Sequence, residues 1–483
     1  MENFKNLKSY RVFEHFKNIS EIPRGSGNEK GISDYLVSFA KNLGLEVIQD
    51  KALNVIIKKP ASKGYESAPT VIIQGHLDMV CEKNKDTIHD FLKDPIELVV
   101  KGDKIYANGT TLGADDGIAV AYAMALLEDN TIEHPALEIL MTTDEETGMT
   151  GAMALSKEDI SGKILINIDT EEEGYLLVSC AGGIRTKSSV KLEKEEIKNE
   201  KLYTISIRGL KGGHSGTEIN KWRGNSNKLL GRVLMDIYNS MEVSLISVDG
   251  GSKNNAIPRE ADGIIAIKEE DKETLVNLIE KWDSIFKKEL ETQDKDVKVT
   301  LNEVNDSINS KFTKATTERV IKLLYLYPNG VNTMSVNIED LTESSTNLGI
   351  VKTNEDSVEF DSAVRSSVPT LVDEIVTRIK EVTELLGGEF ESSAGYPAWQ
   401  YKKESKIRDI CERVYKEMTG KEAVVYAIHA GVECGLFEEK LGELDMISFG
   451  PDIRDAHTPQ ENLSIQSTEN VWNYLLEVLK NIK

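Results

Sequence analysis

The chain is poor in cysteine, in basic charge and in long apolar runs, and each shortage removes a class of protein. Cysteine occurs four times in 483 residues, at Cys81, Cys180, Cys411 and Cys434, with no C-x-x-C spacing. That scatter argues against a disulfide framework and against a cysteine-ligated zinc site. Lysine and arginine number 58 against 81 acidic residues, giving a formal charge of −23. A surface of that sign repels nucleic-acid phosphates and anionic membranes, so neither is expected as a partner. No stretch reaches the length of a membrane span, and the opening MENFKNLKSY has no apolar core of signal-peptide length. The expected setting is a reducing cytoplasm.

What is present is organised around TVIIQGHLDMV, residues 70–80. Val71–Ile73 read as a buried strand that ends at Gly75. Residues two apart on extended backbone project to one side, so His76 and Asp78 face the same place just past the strand end. That is where open α/β sheets carry their sites, and a carboxylate behind a histidine is how metal-ligating imidazoles are oriented.

At this length two or three domains are expected. Helical spacing covers Tyr10–Ile19, and a second helix runs to Leu43 and stops at Gly44. Pro23–Gly27 is a loop. Leu98–Lys101 and Lys104–Tyr106 predict a hairpin on Gly102-Asp103. Strands Ala136–Thr142 and Lys163–Ile168 alternate with an alanine-rich helix after Gly117, which predicts a three-layer α/β domain with a mixed, largely parallel sheet. From about residue 186 the pattern becomes that of one-sided sheets. Strands are expected at Lys201–Arg208, Asp262–Lys268, Thr333–Ile338, Ser345–Val351 and Val358–Ser366, with helices at Lys228–Tyr238 and Leu371–Leu386. We read 186–390 as an inserted α+β domain of two similar halves, and 1–185 with 391–483 as the domain it interrupts. The charged stretch 288–298 is expected to be exposed, as are His15, His89 and His134; Met124 and Met141 are expected in the core.

Four further stretches place metal-ligand types at strand ends. Asp115 and Asp116 stand between glycines in LGADDGIA, with Asp115 presented at the mouth of the following helix; taken alone, both read better as caps of that helix than as ligands. In TTDEETG, adjacent Glu145 and Glu146 diverge on extended backbone, so one can bind a metal while the other holds a water. Asp169 follows a buried strand, and DAHTP supplies a second histidine, His457. Mixed histidine and carboxylate sets suit Zn²⁺, Mn²⁺ or Co²⁺ better than Ca²⁺. Two divalent ions, about +4, are offset by three ligand carboxylates and one bridging hydroxide.

Taken in order, GHLDMV, LGADDGIA, TTDEETGMTGA, NIDTEE, GLKGGHSG, NAIPRE and DAHTPQE resemble the M20 metallopeptidases, and within them the aminoacyl-histidine (cytosol non-specific) dipeptidase branch. The resemblance implies that His76, Asp115 and Asp169 hold one ion and Asp115, Glu146 and His457 the other, with Asp115 bridging. It implies that Asp78 orients His76 and that Glu145 is general base and then acid toward a metal-bridged hydroxide. The inserted domain becomes a lid and homodimerisation domain. His214 becomes an oxyanion donor supplied from the partner's lid, and Asn255 and Arg365 become grips for the substrate's carboxylate. HAGVECG adds His429 and Glu433 as contacts for the end groups of a dipeptide. The activity implied is zinc-dependent dipeptide hydrolysis, of Xaa-His or broader specificity. The related tripeptidases, carboxypeptidases and N-acyl-amino-acid deacylases use the same site, and a non-catalytic relic of the fold would not need Glu145. The branch commonly carries Asp-Asn where this chain has Asp115-Asp116.

Overall fold

A computed structural model describes residues 4–305, 308–393 and 395–483. The chain divides into two compact units. One contains residues 1–179, 401–427 and 432–483; the other contains 180–400 and 428–431.

The first unit is built on an eight-stranded sheet. Its order is Glu46–Gln49, Val55–Lys59, Leu137–Thr142, Val71–His76, Ile164–Asn167, Asp445–Ser448, Tyr175–Cys180 and Val424–Ile428. The four central strands are parallel, with Val71 beside both Leu137 and Ile164 and Asp445 beside Ile164. The Val71–His76 strand is buried at every position, as a strand covered on both faces must be. The Ala114–Glu128 helix packs against it through small residues. A β-carbon at Gly75 would stand 2.4 Å from Ala119 Cβ and from an Asp116 carboxylate oxygen, so this close approach requires glycine. Because the central strands run the same way, the segments following His76, Thr142, Asn167 and Ser448 all leave from one edge of the sheet.

The second unit carries an antiparallel sheet. Its order is Lys298–Glu303, Lys201–Arg208, Ala261–Ile267, Val243–Gly250, Thr342–Thr353, Ser357–Ser366, Gly182–Lys191 and Glu389–Ser392, with Gly330–Met334 also paired to Thr342–Thr353. Two half-sheets meet at a single residue pair, Gly250 and Val351. Helices Ser226–Ser240, Lys272–Glu289, Lys314–Leu326 and Pro369–Leu385 contribute Leu230, Val233, Ile279, Ile321, Leu324 and Ile379 to its core. Each such side chain contributes about 1.5–3 kcal/mol on burial.

Several expectations need correction. His15 and His134 are buried, not at the surface. His15 lies on the same helical stripe as Val12, Phe16 and Ile19, with Nε2 3.1 Å from a Glu128 carboxylate oxygen. His134 Nδ1 is 2.7 Å from the Pro135 carbonyl oxygen. The stretch 288–298 is not merely solvated charge. Asp294 is fully buried and accepts the N–H groups of Lys211 and Gly224, each at 2.7 Å. The strand expected at Thr333–Ile338 lies earlier, at Gly330–Met334. Met124 and Met141 are core residues.

Lys228 closes the Lys314–Leu326 helix. Its ammonium donates to the carbonyls of Leu324, Tyr325 and Tyr327 at 2.7, 2.8 and 2.7 Å, groups that the helix end leaves without partners. Lys228→Met is expected to cost about 2 kcal/mol or more. In thermal unfolding this should lower the second unit's midpoint by about 4–8 °C; an unchanged midpoint would deny Lys228 this role.

Candidate metal centre

The edge of the parallel sheet gathers both histidines and the carboxylates expected around them. His76 Nε2 lies 3.1 Å from Asp115 Oδ1 and 3.6 Å from Asp169 Oδ1. His457 Nε2 lies 3.0 Å from Asp115 Oδ2 and 3.1 Å from Glu146 Oε2. Asp115 therefore shows one oxygen to each imidazole. Asp115, Glu146 and His457 offer ligand atoms within 4.8 Å of one another, as do His76, Glu145 and Glu146, and His76, Asp116 and Asp169. Asp116 differs from Asp115 in that its Oδ2 already accepts the His76 backbone N–H at 3.2 Å. It lies beneath the histidine rather than between the two.

Local backbone explains these placements. Gly113, with φ +68°, precedes a helix whose second and third residues, Asp115 and Asp116, are not helical. The reading of both aspartates as simple caps fails for that reason, since no side-chain cap bond forms there. His457 has φ +63° and Asp144 φ +58°, the left-handed region that non-glycine residues rarely enter. Asp78 is fully buried and does more than face His76 at 3.4 Å. It accepts the backbone N–H groups of Glu145 and Glu146 at 3.0 and 3.2 Å and the Ser26 hydroxyl at 2.8 Å. One carboxylate thus positions both the first histidine and the turn that presents the two glutamates.

Electrostatics shows a deficit of positive charge. Burial pushes the Glu145 carboxyl up to about 9, with Asp169, Glu433 and Glu146 adding to the rise against His76. Burial also lifts Asp169 to about 6 and Glu433 to about 8. Burial opposes ionisation of Asp78, yet His76, Ser26 and the Glu145 N–H hold it down to about 2. Bonds from Asp115 and Glu146 drive His457 up to about 11. Glu146 Oε1 and Asp116 Oδ1 are buried without a hydrogen-bond partner among the described residues. Converging acceptors with unspent lone pairs fit divalent cations.

A model of peptidase family M20/M25/M40 matches residues 72–481. The chain belongs to this family. It is 38% identical to the cytosol non-specific dipeptidase of Escherichia coli, over 100% of this chain and 99% of that protein. The crystal structure of an aminoacylhistidine dipeptidase from Vibrio alginolyticus superposes with a TM-score of 0.95 at 37% identity, covering 100% of this chain and 99% of that one. An aminopeptidase of Bacillus cereus shares the fold, with a TM-score of 0.57 at 15% identity over 99% of both chains.

The remaining residues expected at an M20 site fall into two groups. Glu433 lies in the first unit, its Oε2 accepting from Gln74 Nε2 at 2.8 Å and from Thr142 Oγ1 at 2.7 Å. His214, Asn255, Arg365 and His429 lie in the second unit. His214 Nδ1 accepts the N–H groups of Gly216 and Thr217 at 3.3 and 3.2 Å, which leaves the ring proton on Nε2. Burial and Arg365 hold the His214 ring below its ordinary pKa. Arg365 donates to the Tyr396 hydroxyl. Asn255 is exposed, and its carbonyl accepts the Ser215 N–H at 2.9 Å. His429 and Glu433, close in sequence, thus belong to different units. Ser26, Gln74 and Thr142 are also drawn into the site. Gln74 carried the one available signal, an amide at the end of an otherwise apolar strand.

His429 is buried with Nε2 2.7 Å from the Ser345 hydroxyl, and burial together with Arg365 pushes it down to about 3 from 6.5. The unfolded chain therefore takes up a proton that the folded chain refuses. Stability from this source is full above about pH 6.5 and is lost as pH falls toward 3. The stability lost between pH 7 and pH 5 in urea unfolding should be smaller in His429→Gln by about 2 kcal/mol. Equal losses in the two proteins would show that folded His429 is already charged at pH 5.

Proposed function

We propose that this chain is a two-metal dipeptidase of the M20 family, cleaving dipeptides of Xaa-His type or of broader specificity. The observation that carries the reading is the Asp115 carboxylate, one oxygen toward His76 and the other toward His457, with Glu145 grouped with His76 and Glu146. In this reading His76, Asp115 and Asp169 hold one ion and Asp115, Glu146 and His457 the other. Zinc is the natural occupant of such ligands, and manganese or cobalt would also fit. When bound, the pair supplies an acidified water at neutral pH and charge to polarise the scissile carbonyl.

The chain's own groups supply the rest. Glu145, its backbone fixed through Asp78, takes the proton of the attacking water and delivers it to the leaving amine. His214 donates its Nε2–H to the developing oxyanion. Arg365, assisted by Asn255, holds the peptide's free carboxylate, for which a guanidinium offers two parallel bonds. Glu433 and His429 contact the end groups. The second unit acts as lid and dimerisation domain, so that His214 reaches the site of the partner subunit. The name of the Escherichia coli relative supports a cytoplasmic setting, and no helix among the described residues is long and apolar enough to cross a membrane.

Release of free amino acids should be seen with carnosine and Leu-His after addition of Zn²⁺ or Mn²⁺, and should be weak or absent with Gly-Gly-Gly and N-acetyl amino acids. Hydrolysis confined to the acetylated substrates would overturn the dipeptidase reading in favour of a deacylase. Glu145→Gln should lower kcat by about 10²–10⁴-fold while elemental analysis finds the metal content unchanged. Retained turnover would remove Glu145 from the proton path.

A further inference from the structure

Two residues outside the proposed ligand set grip the turn that carries Asp115, and they do so from opposite sides. Arg24 comes from the loop before the second helix and is buried to 2% exposure. Its Nη1 donates to the carbonyls of Leu77 and Asp78 at 2.9 and 3.0 Å, immediately after His76. Its Nη2 donates to the carbonyl of Gly113. Both glycines of the LGADDG turn leave room for this guanidinium, since a β-carbon at Gly113 or Gly117 would stand 2.6 or 2.5 Å from Nη2.

Glu461 comes from the other end of the chain, four residues beyond His457, and is also 2% exposed. Its two oxygens accept the N–H groups of Leu112, Gly113 and Ala114 at 2.8, 3.0 and 2.8 Å, and that of Asp115 at 3.4 Å. The carbonyl side of the turn is thus held by a cation and the amide side by an anion. Charge-assisted bonds of this kind are the strong ones, and burial removes water as a competitor.

Asp115 needs such restraint. Its backbone, with φ −79° and ψ 107°, is extended within a segment that otherwise turns helical, so the helix does not fix its direction. Its carboxylate must still meet His76 and His457 at once. The two gripping residues join the three segments concerned: Arg24 ties the His76 strand end to the Asp115 turn, and Glu461 ties that turn to the His457 loop.

We propose that Arg24 and Glu461 are positioning residues, a clamp that holds Asp115 between the two ion-binding trios and thereby sets the affinity for both ions. This rests on the two-metal reading above, and the test separates the two. Full-length protein stripped with chelator is titrated with Zn²⁺ against a chromophoric chelator, for the wild type, His457→Ala, Arg24→Lys and Glu461→Gln. If the metal reading holds, the wild type binds two equivalents and His457→Ala one. The clamp predicts that Arg24→Lys and Glu461→Gln still bind two equivalents, both weakened by at least about tenfold, with a wild-type circular dichroism spectrum. The visible spectrum of the Co²⁺-loaded protein should change in both variants, a signature that mere loss of stability would not produce. Wild-type affinity and spectrum in the folded variants would overturn the clamp while leaving the metal reading standing. A wild type that binds no zinc would overturn the metal reading itself. A readout independent of variants is hydrogen exchange in the metal-free wild type. The amides of residues 112–115 should be protected like those of the central strands, and exchange at the rate of an open loop would refute the clamp even if neither variant folds.

Discussion

A single carboxylate shared by two imidazoles is the contact on which the first unit depends. Asp115 cannot serve His76 and His457 together unless segments from the beginning, middle and end of the chain arrive at one sheet edge. They bring Asp78, Glu145, Glu146, Asp169 and Glu433 with them, far more acid than two histidines can balance. Concentrating like charge in a buried place is unfavourable unless cations or protons answer it. Burial and mutual repulsion accordingly raise the carboxyls of Glu145, Asp169 and Glu433 above their ordinary range.

The fold tolerates this because the acidic residues sit on short turns beyond a rigid floor, with the packing kept beneath them. Val71–Ile73, Leu137–Ile139 and Leu165–Ile166 are buried almost completely, so the strand ends cannot drift. Gly75 lets the alanine-rich helix approach until Asp116 meets the His76 backbone. Asp78 then sets the glutamate turn. Rigidity below and charge above are two halves of one arrangement: loosening the floor by a fraction of an ångström would separate oxygens and nitrogens that now stand 3.0–3.6 Å apart.

Much of this was legible in the amino-acid order. Apolar runs ending in glycine or in an acid located the parallel strands, and His-x-Asp after Gly75 pointed to the site directly. The change to alternating patterns near residue 186 separated the two kinds of sheet. What was hidden has a common physical cause, namely that it depends on partners distant in sequence. Arg24 sits in a loop that reads as ordinary until three carbonyls are found around its guanidinium. Asp294 looks like surface charge until Lys211 and Gly224 present their amides to it. His15 was hidden only by its polarity, since its spacing from Val12 and Ile19 already put it on the buried stripe. Gly330–Met334 escaped because an irregular pairing with Thr342–Thr353 shifts its register.

The reach of Glu461 has a consequence for biosynthesis. The turn bearing Asp115 is made early, yet its amides wait for a carboxylate translated some 350 residues later, and the second imidazole arrives in the same closing stretch. A nascent polypeptide still attached at residue 440 lacks the central strand Asp445–Ser448 as well as His457 and Glu461, so Asp115 has neither its second imidazole nor the carboxylate that holds its turn.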